Sequence, residues 1–416
     1  MQDKGTVQEK NKIIAGVDIG CSKIVLVIGE IVKDRGINIR FASDYPSRGI
    51  RFNGVYDVIV AADAIRSAIS KAEKSANVSI EYLHCSVVDN SLQAINSFGI
   101  VFPEDEEVSS YDIEAAETIA KKVKLPGERE LLAVLPQYYR LDGVSLLNEP
   151  IGAKGFRLEM YAHLLIGSAI ARERTVQVLE RTGLAITGIN GKHLAASFAT
   201  TTKAERKDGI IVIDIGEYVT GVALYKNSHI LCSAVIQYGG DRITKDISKL
   251  LEITDAEAKK IKERHGCALG DLIDHDALID DVRGISRGET KKVSQRYLAQ
   301  IIEARLGEIL ILAYKETKSN NEPRDFAAGV VITGATAMLK GAAELVQERF
   351  GVSARVGIPQ GVVGGEGLIA DSLYATAVGL LLECEKNLLS TAGVDGEKGN
   401  KFIGKGIGVI KNWFFS

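Results

Sequence analysis

Gly209 to Asp241 reads GIIVIDIGEYVTGVALYKNSHILCSAVIQYGGD, and the fold turns on this stretch. Ile210 to Ile213 form a short, β-branched apolar run that ends in Asp214-Ile215-Gly216, and a second apolar run follows at Val219 to Tyr225. Runs of this length bounded by glycine predict two buried strands joined by a tight turn, with an acid at the tip. The same arrangement stands near the start of the chain. There Ile13 to Val17 leads into Asp18-Ile19-Gly20, and Ile24 to Ile28 follows. VDIG at Val17 to Gly20 and IDIG at Ile213 to Gly216 thus form an internal echo, which predicts two similar halves facing one cleft.

Such a pair suits phosphate and metal binding. Glycine has no Cβ and tolerates unusual dihedrals, so backbone N–H groups beside Gly20 and Gly216 can approach a polyphosphate closely. Asp18 and Asp214 would then hold Mg²⁺ through water. One D-x-G at a strand end is ordinarily only a turn; the argument comes from the pair in matching strand contexts.

The paired hairpins resemble the phosphate-binding motifs of the superfamily of actin and the sugar kinases, and Val330 to Gly341, VVITGATAMLKG, resembles its adenosine motif. More closely, Gly16 to Glu30, GGDRITKDIS at Gly239 to Ser248, IKERHGCAL at Ile261 to Leu269 and YATAVGLL at Tyr374 to Leu381 resemble the FtsA family of bacterial cell-division proteins. The similarity runs from about Ile13 to the end of the chain. It implies an α/β, actin-like, two-lobed ATPase fold with an FtsA-type inserted subdomain and a C-terminal amphipathic helix.

The implied domain plan has a disordered N-terminus at 1–12. The first lobe's main subdomain occupies 13–84 and 168–207, with the inserted subdomain at 85–167 between them. The second lobe's main subdomain takes 208–245 and 319–372, interrupted by a further subdomain at 246–318. A helix at 373–388 returns to the first lobe, and a flexible linker at 389–401 leads to an amphipathic membrane-targeting helix at 402–416.

The resemblance also implies ATP and Mg²⁺ as ligands, held by Asp18, Gly20, Cys21, Ser22, Lys23, Asp214, Gly216, Thr220, Gly239, Gly240, Asp241, Lys262, Gly334, Ala335 and Thr336. It implies FtsZ as a partner, its acidic C-terminal tail meeting Lys291 and Arg305, with self-assembly into actin-like filaments and contacts to later division proteins through the insertion. The location implied is the cytoplasmic face of the membrane at the septum.

Several positions depart from the family pattern. Cys21 stands for a hydroxyl, Lys192-His193 for a Glu-Pro whose acid would orient a water, Glu217 and Tyr218 for glycine-rich sequence, Lys259 for an acid, and Ala335 for a glycine. Glu217 is expected to add repulsive charge near the phosphates. Weak ATP binding or very slow hydrolysis follows as an expectation, which makes the chain an adaptor rather than a working kinase. The alternatives are an actin-like scaffold of another membrane machine, of the pilus-assembly type, and a small-molecule kinase of the same superfamily.

Composition bounds these readings. At 416 residues the chain is too long for one ordinary core. Its net charge of −3 implies no bulk attraction to nucleic acid. Five cysteines without C-x-x-C spacing read as reduced thiols, and the first 12 residues lack the apolar core of a secretion signal. Helices are expected at Asp57 to Ala76, from Val108 onward, at Ala169 to Thr182, at Glu257 to Arg264, over Arg287 to Leu312, and at Leu339 to Phe350.

The tail carries a separate signal. Ser390 to Lys401 has almost no large apolar residue and reads as linker. In FIGKGIGVIKNWFFS, helical spacing gathers Phe402, Ile403, Ile407, Ile410, Trp413 and Phe414 on one side, with Phe415 beside them, while Lys405 and Lys411 lie mainly opposite. A basic amphipathic segment ending in aromatics suits the interface of an anionic lipid bilayer. A tail docked on its own core is the competing reading.

Overall fold

The computed structural model describes residues 12–32, 35–52, 54–273, 275–286, 289–318 and 326–392. Both expected hairpins form. Strand Ile13–Ile19 pairs antiparallel with Lys23–Val32, and Ile210–Ile215 pairs antiparallel with Thr220–Lys226. Ile14, Val17, Ile210, Ile211 and Ile213 are all fully buried. Each such side chain contributes about 1.5–3 kcal/mol, which is why β-branched runs settle at the centres of sheets.

The duplication extends well past the hairpins. The first sheet runs Gly36–Pro46, Lys23–Val32, Ile13–Ile19, Tyr82–Ser86, Ala185–Asn190; the second runs His229–Ile236, Thr220–Lys226, Ile210–Ile215, Val330–Thr333, Ala354–Val356. In each, the leading strand has an antiparallel hairpin mate on one side and a parallel strand on the other. The two lobes therefore share one topology, that of the actin-like ATPase fold.

Helix Val58–Ala76 covers the first sheet, with the Asp57 carboxylate accepting from the N–H groups of Ile59 and Val60, both at 3.0 Å, and Ala61, Ile65, Ala68 and Ala72 buried beneath. Within the first lobe's sequence lies the insertion. Its sheet runs Gln93–Val101, Leu158–Ser168, Arg129–Leu141, Ser145–Leu147, and helix Ser110–Ala120, started by a Ser109/Asp112 capping box, closes a small core of its own. The insertion is stitched to the second lobe's edge strand: the Asn96 amide donates to Leu231 O at 2.9 Å, and His163 Nε2 meets Ser233 Oγ at 2.8 Å.

Close backbone packing fixes the last helix, Ala375–Ala392. A Cβ on Gly16 would stand 1.9 Å from Ala377 O, and one on Gly379 would stand 1.9 Å from Ala195 O, so both glycines are required by contact rather than by dihedral.

Three expectations need correction. Within the helix expected over Arg287 to Leu312, Arg287 and Gly288 lie outside the described residues and Glu289 to Ser294 is not helical: Thr290–Ser294 is a strand paired with Leu278–Arg283, and the helix begins at Gln295 and runs to Thr317. The helix expected from Leu339 starts at Ala342, because Gly341 at φ 78° cannot lie within it, and a single tight turn at Ala335–Met338 precedes it. The returning helix extends to Ala392, so Ser390 to Ala392 belong to it and not to a linker.

Candidate functional site

The two hairpin turns are built alike. Gly20 N–H donates to Lys23 O at 2.9 Å, and Gly216 N–H donates to Val219 O at 3.0 Å. A Cβ on Gly20 would lie 2.6 Å from Lys23 O, which ties that glycine to the turn. The turns face one cavity of about 470 Å³ between the lobes, of a size suited to a small-molecule ligand. It opens where parallel strands end, the usual place for ligands in α/β sheets. Asp18, Gly20, Cys21, Ser22, Lys23, Asp214, Gly216, Gly240, Lys262, Gly334, Ala335 and Thr336 all line it.

Three of the expected residues do not. Thr220 is buried, its hydroxyl donating to Tyr238 O at 2.8 Å, so it closes the second hairpin. Gly239 caps helix Gly240–Leu251 and packs against the turn, where a Cβ would lie 2.7 Å from Gly216 O. Asp241 pairs with Lys245 at 2.7 Å, and its N–H donates to Glu217 O at 2.7 Å. Lys262 steadies the same helix start, donating to Gly240 O at 3.0 Å and Thr244 Oγ1 at 2.8 Å.

The two aspartates come to the same cavity in different states. Asp18 Oδ1 accepts from Ser86 Oγ at 3.0 Å and pairs with Lys192 Nζ at 2.9 Å. Lys192 also donates to Ile19 O at 2.7 Å. Burial opposes its ammonium, but the charge and hydrogen bond of Asp18 outweigh that and raise its pKa. Asp214 is pushed up to about 7, first by burial and then by the Asp18 charge, with Lys192 pulling the other way.

These residues do not fit the expected magnesium ion. Mg²⁺ demands an octahedral shell of oxygens, mostly waters, whereas Asp18 Oδ1 is already shared between a hydroxyl and an ammonium, and the Lys192 charge would repel a divalent ion beside it. Among the described residues no three His, Cys, Asp or Glu converge to hold a metal.

The remaining departures also have places. Glu217 is held by Lys259 at 3.0 Å, and although burial pushes its pKa up, bonds from Ser22 and Lys259 keep it below the ordinary carboxylate range. Its expected repulsion is therefore answered by Lys259, so two of the departures cancel each other. Ser22 belongs to the first turn and Glu217 to the second, so the turn tips meet. The Tyr218 ring packs on Phe52 with centroids 5.8 Å apart. Lys23 lines the cavity but pairs with Asp44 at 3.0 Å, and the Cys21 thiol donates to Arg51 O at 3.2 Å.

Sequence reasoning passed over Asp89, Asn90, Ser372 and Thr376, all of which line the cavity. The signal for the first two was their position just past Tyr82–Ser86, a strand parallel to Ile13–Ile19. His193, a position named only as a departure, lines it too: its Nε2 is buried without a hydrogen-bond partner among the described residues, and burial lowers its pKa to about 4, so the ring is neutral.

Lys291 and Arg305 lie away from the cavity, each already paired. Lys291 Nζ meets Glu252 Oε2 at 3.3 Å and Glu289 Oε1 at 3.6 Å. Arg305 forks onto Asp246 and also meets Glu308, bridging Gln295–Thr317 to Gly240–Leu251. Phe402, Ile403, Ile407, Ile410, Lys411, Trp413, Phe414 and Phe415 lie outside the described residues. Among the described residues no helix is long and apolar enough to cross a membrane.

Comparison with known proteins agrees with this architecture. The family model "Cell division protein FtsA" matches residues 211–379, and "SHS2 domain inserted in FTSA" matches residues 90–166, the insertion described above. The cell-division protein FtsA of Neisseria meningitidis is 34% identical over 90% of this chain and 91% of its own length. Among solved structures, the PilM-PilN type IV pilus biogenesis complex matches with a TM-score of 0.62 at 17% identity, covering 89% of this chain and 98% of that one. MreB5 of Spiroplasma citri bound to ADP matches with a TM-score of 0.55 at 14% identity, covering 92% and 99%. The structural likenesses show the fold, and the sequence relatives show more: the chain belongs to the FtsA family of cell-division proteins.

Proposed function

We propose that this protein tethers FtsZ filaments to the cytoplasmic face of the cell membrane at the septum, recruits later division proteins, and assembles with its own copies under control of ATP bound between the lobes. The observation that carries the reading is the pair of glycine-tipped hairpins facing one cavity in a chain of this family. The solved structure of MreB5, of the same fold, is bound to ADP, which supports a nucleotide here. The first-turn backbone and Lys262 would meet its phosphates, with Gly334 to Thr336 beside the base. No acid stands at Lys192 to orient a water, so hydrolysis is very slow at most. FtsZ's acidic tail would exchange for the carboxylates that now pair Lys291 and Arg305. The membrane contact rests on the sequence of 402–416, which suits anionic lipid.

Flotation of FtsZ polymers with anionic liposomes tests the tether, using the full chain and a version ending at Asn400. FtsZ rising only with the full chain supports both the tail and the partner. If the protein floats and FtsZ stays behind, the scaffold of another membrane machine becomes the better reading. If neither floats, the tether is wrong.

A further inference from the structure

The most unusual feature of the cleft is a lysine where the pair of aspartates would be expected to share a metal ion. Lys192 opens helix Lys192–Thr200, and that helix start places it at the cavity wall. The ammonium meets Asp18 Oδ1 at 2.9 Å and Ile19 O at 2.7 Å. Asp18 is also fixed by Ser86 at 3.0 Å, and Ser86 Oγ in turn accepts from Ile19 N–H at 2.8 Å. This is a built site for a cation, with the strand end, the hydroxyl and the carboxylate all committed to holding it.

An ammonium accepts no ligand and coordinates no water as a metal does, but it supplies positive charge and N–H donors at one place. A hydrated magnesium ion bound through Asp18 would need that same carboxylate as acceptor for its waters, and would stand against a like charge. The chain therefore sets a covalently attached monovalent cation beside its two hairpin aspartates, paired with the first.

We propose that Lys192 is the resident cation of the cleft, and that the protein takes its nucleotide without holding a divalent ion of its own. This rests on the reading of the cleft as a nucleotide site. Any magnesium that arrives with ATP would be held by phosphate and water alone. His193, neutral and with a buried Nε2 lacking a partner among the described residues, lines the same cavity and is placed to bond a ligand oxygen or its water.

The test is ATP binding by the full chain, measured by calorimetry in excess MgCl₂ and again in excess EDTA. The expected dissociation constants agree within about threefold. Lys192→Glu should reverse this, binding ATP on the order of a hundredfold more weakly in EDTA than in MgCl₂. A second readout needs no nucleotide. Electron paramagnetic resonance should find Mn²⁺ free beside the wild-type protein and bound by Lys192→Glu, with Lys192→Met as the neutral control for folding.

Binding by the wild type only in MgCl₂, or Mn²⁺ uptake by the wild type that Asp214→Asn removes, overturns the proposal while leaving the nucleotide cleft intact. No ATP binding in either medium overturns the cleft reading, and this inference falls with it.

Discussion

The two hairpins have the same strands, the same turn bond and the same acid one pairing step from the turn, yet their surroundings are opposite. Asp18 is met by a hydroxyl and an ammonium, while Asp214 has burial and its neighbour's charge against it. Behind the acids the contrast continues: Gly16 on the first hairpin is pressed by the backbone of the last helix, whereas the matching position on the second is Val212, a buried side chain in the core. Duplication has copied a backbone, and the two copies have been put to different uses by what packs behind them.

That difference can be broken most forcefully at Gly16. Gly16→Val should cost about 3 kcal/mol in urea unfolding, because its Cβ meets a carbonyl that cannot retreat without moving a whole helix. Val212→Ala, at the twin position, should lose only the ordinary large-to-small increment of about 1–2 kcal/mol.

At the acids, Asp18→Asn should destabilise by about 2 kcal/mol, since it strands a largely buried ammonium. Asp214→Asn should be neutral within about 0.5 kcal/mol or stabilising, since it removes a charge that burial disfavours. Equal losses at both positions, again by urea unfolding, would erase the proposed asymmetry.

The second lobe is stitched to the insertion through His163, and pH reads that seam. His163 donates through Nδ1 to Asn96 Oδ1 at 2.6 Å, and burial lowers its pKa to about 3, so the ring is neutral and its Nε2 accepts from Ser233. A histidine depressed in the folded state gives stability that is whole above its unfolded pKa and is lost as pH falls toward the folded value. Stability should therefore fall from about pH 6.5 downward, by roughly 1–2 kcal/mol at pH 5 from this residue. His163→Gln should make that fall shallower, with His193 and His229, also lowered to about 4 by burial, supplying the remainder.

The smallest effect belongs to the turn tips. Lys259→Ala should cost only about 0.5 kcal/mol, because the pair with Glu217 is partly exposed. It should nonetheless weaken ATP binding by uncovering the Glu217 charge.

Much of this was legible. Glycine after an acid, set between β-branched runs, specifies a hairpin locally, and two such signals at matching places gave the lobes and the cleft. Local signals also marked Asp57 and Ser109 as helix starts. What stayed hidden was long-range pairing. Glu217 and Lys259 each look like a departure alone, and only folding brings them within 3.0 Å. Lys192 reads as a missing acid until the helix start carries it to Asp18. Thr290 to Ser294 was misread because its lysines fit an amphipathic helix as well as a strand whose outward residues need no apolar alternation.

The last helix has a mechanical meaning. It is gripped on one side by strand Ile13–Ile19 at Gly16 and on the other by helix Lys192–Thr200 at Gly379, with main chain against main chain in both places. Tension along the axis of this helix would load these contacts in shear and not peel it away turn by turn. The first lobe is thus the anchor block of that helix, and a pull on it is carried to the strand that holds Asp18.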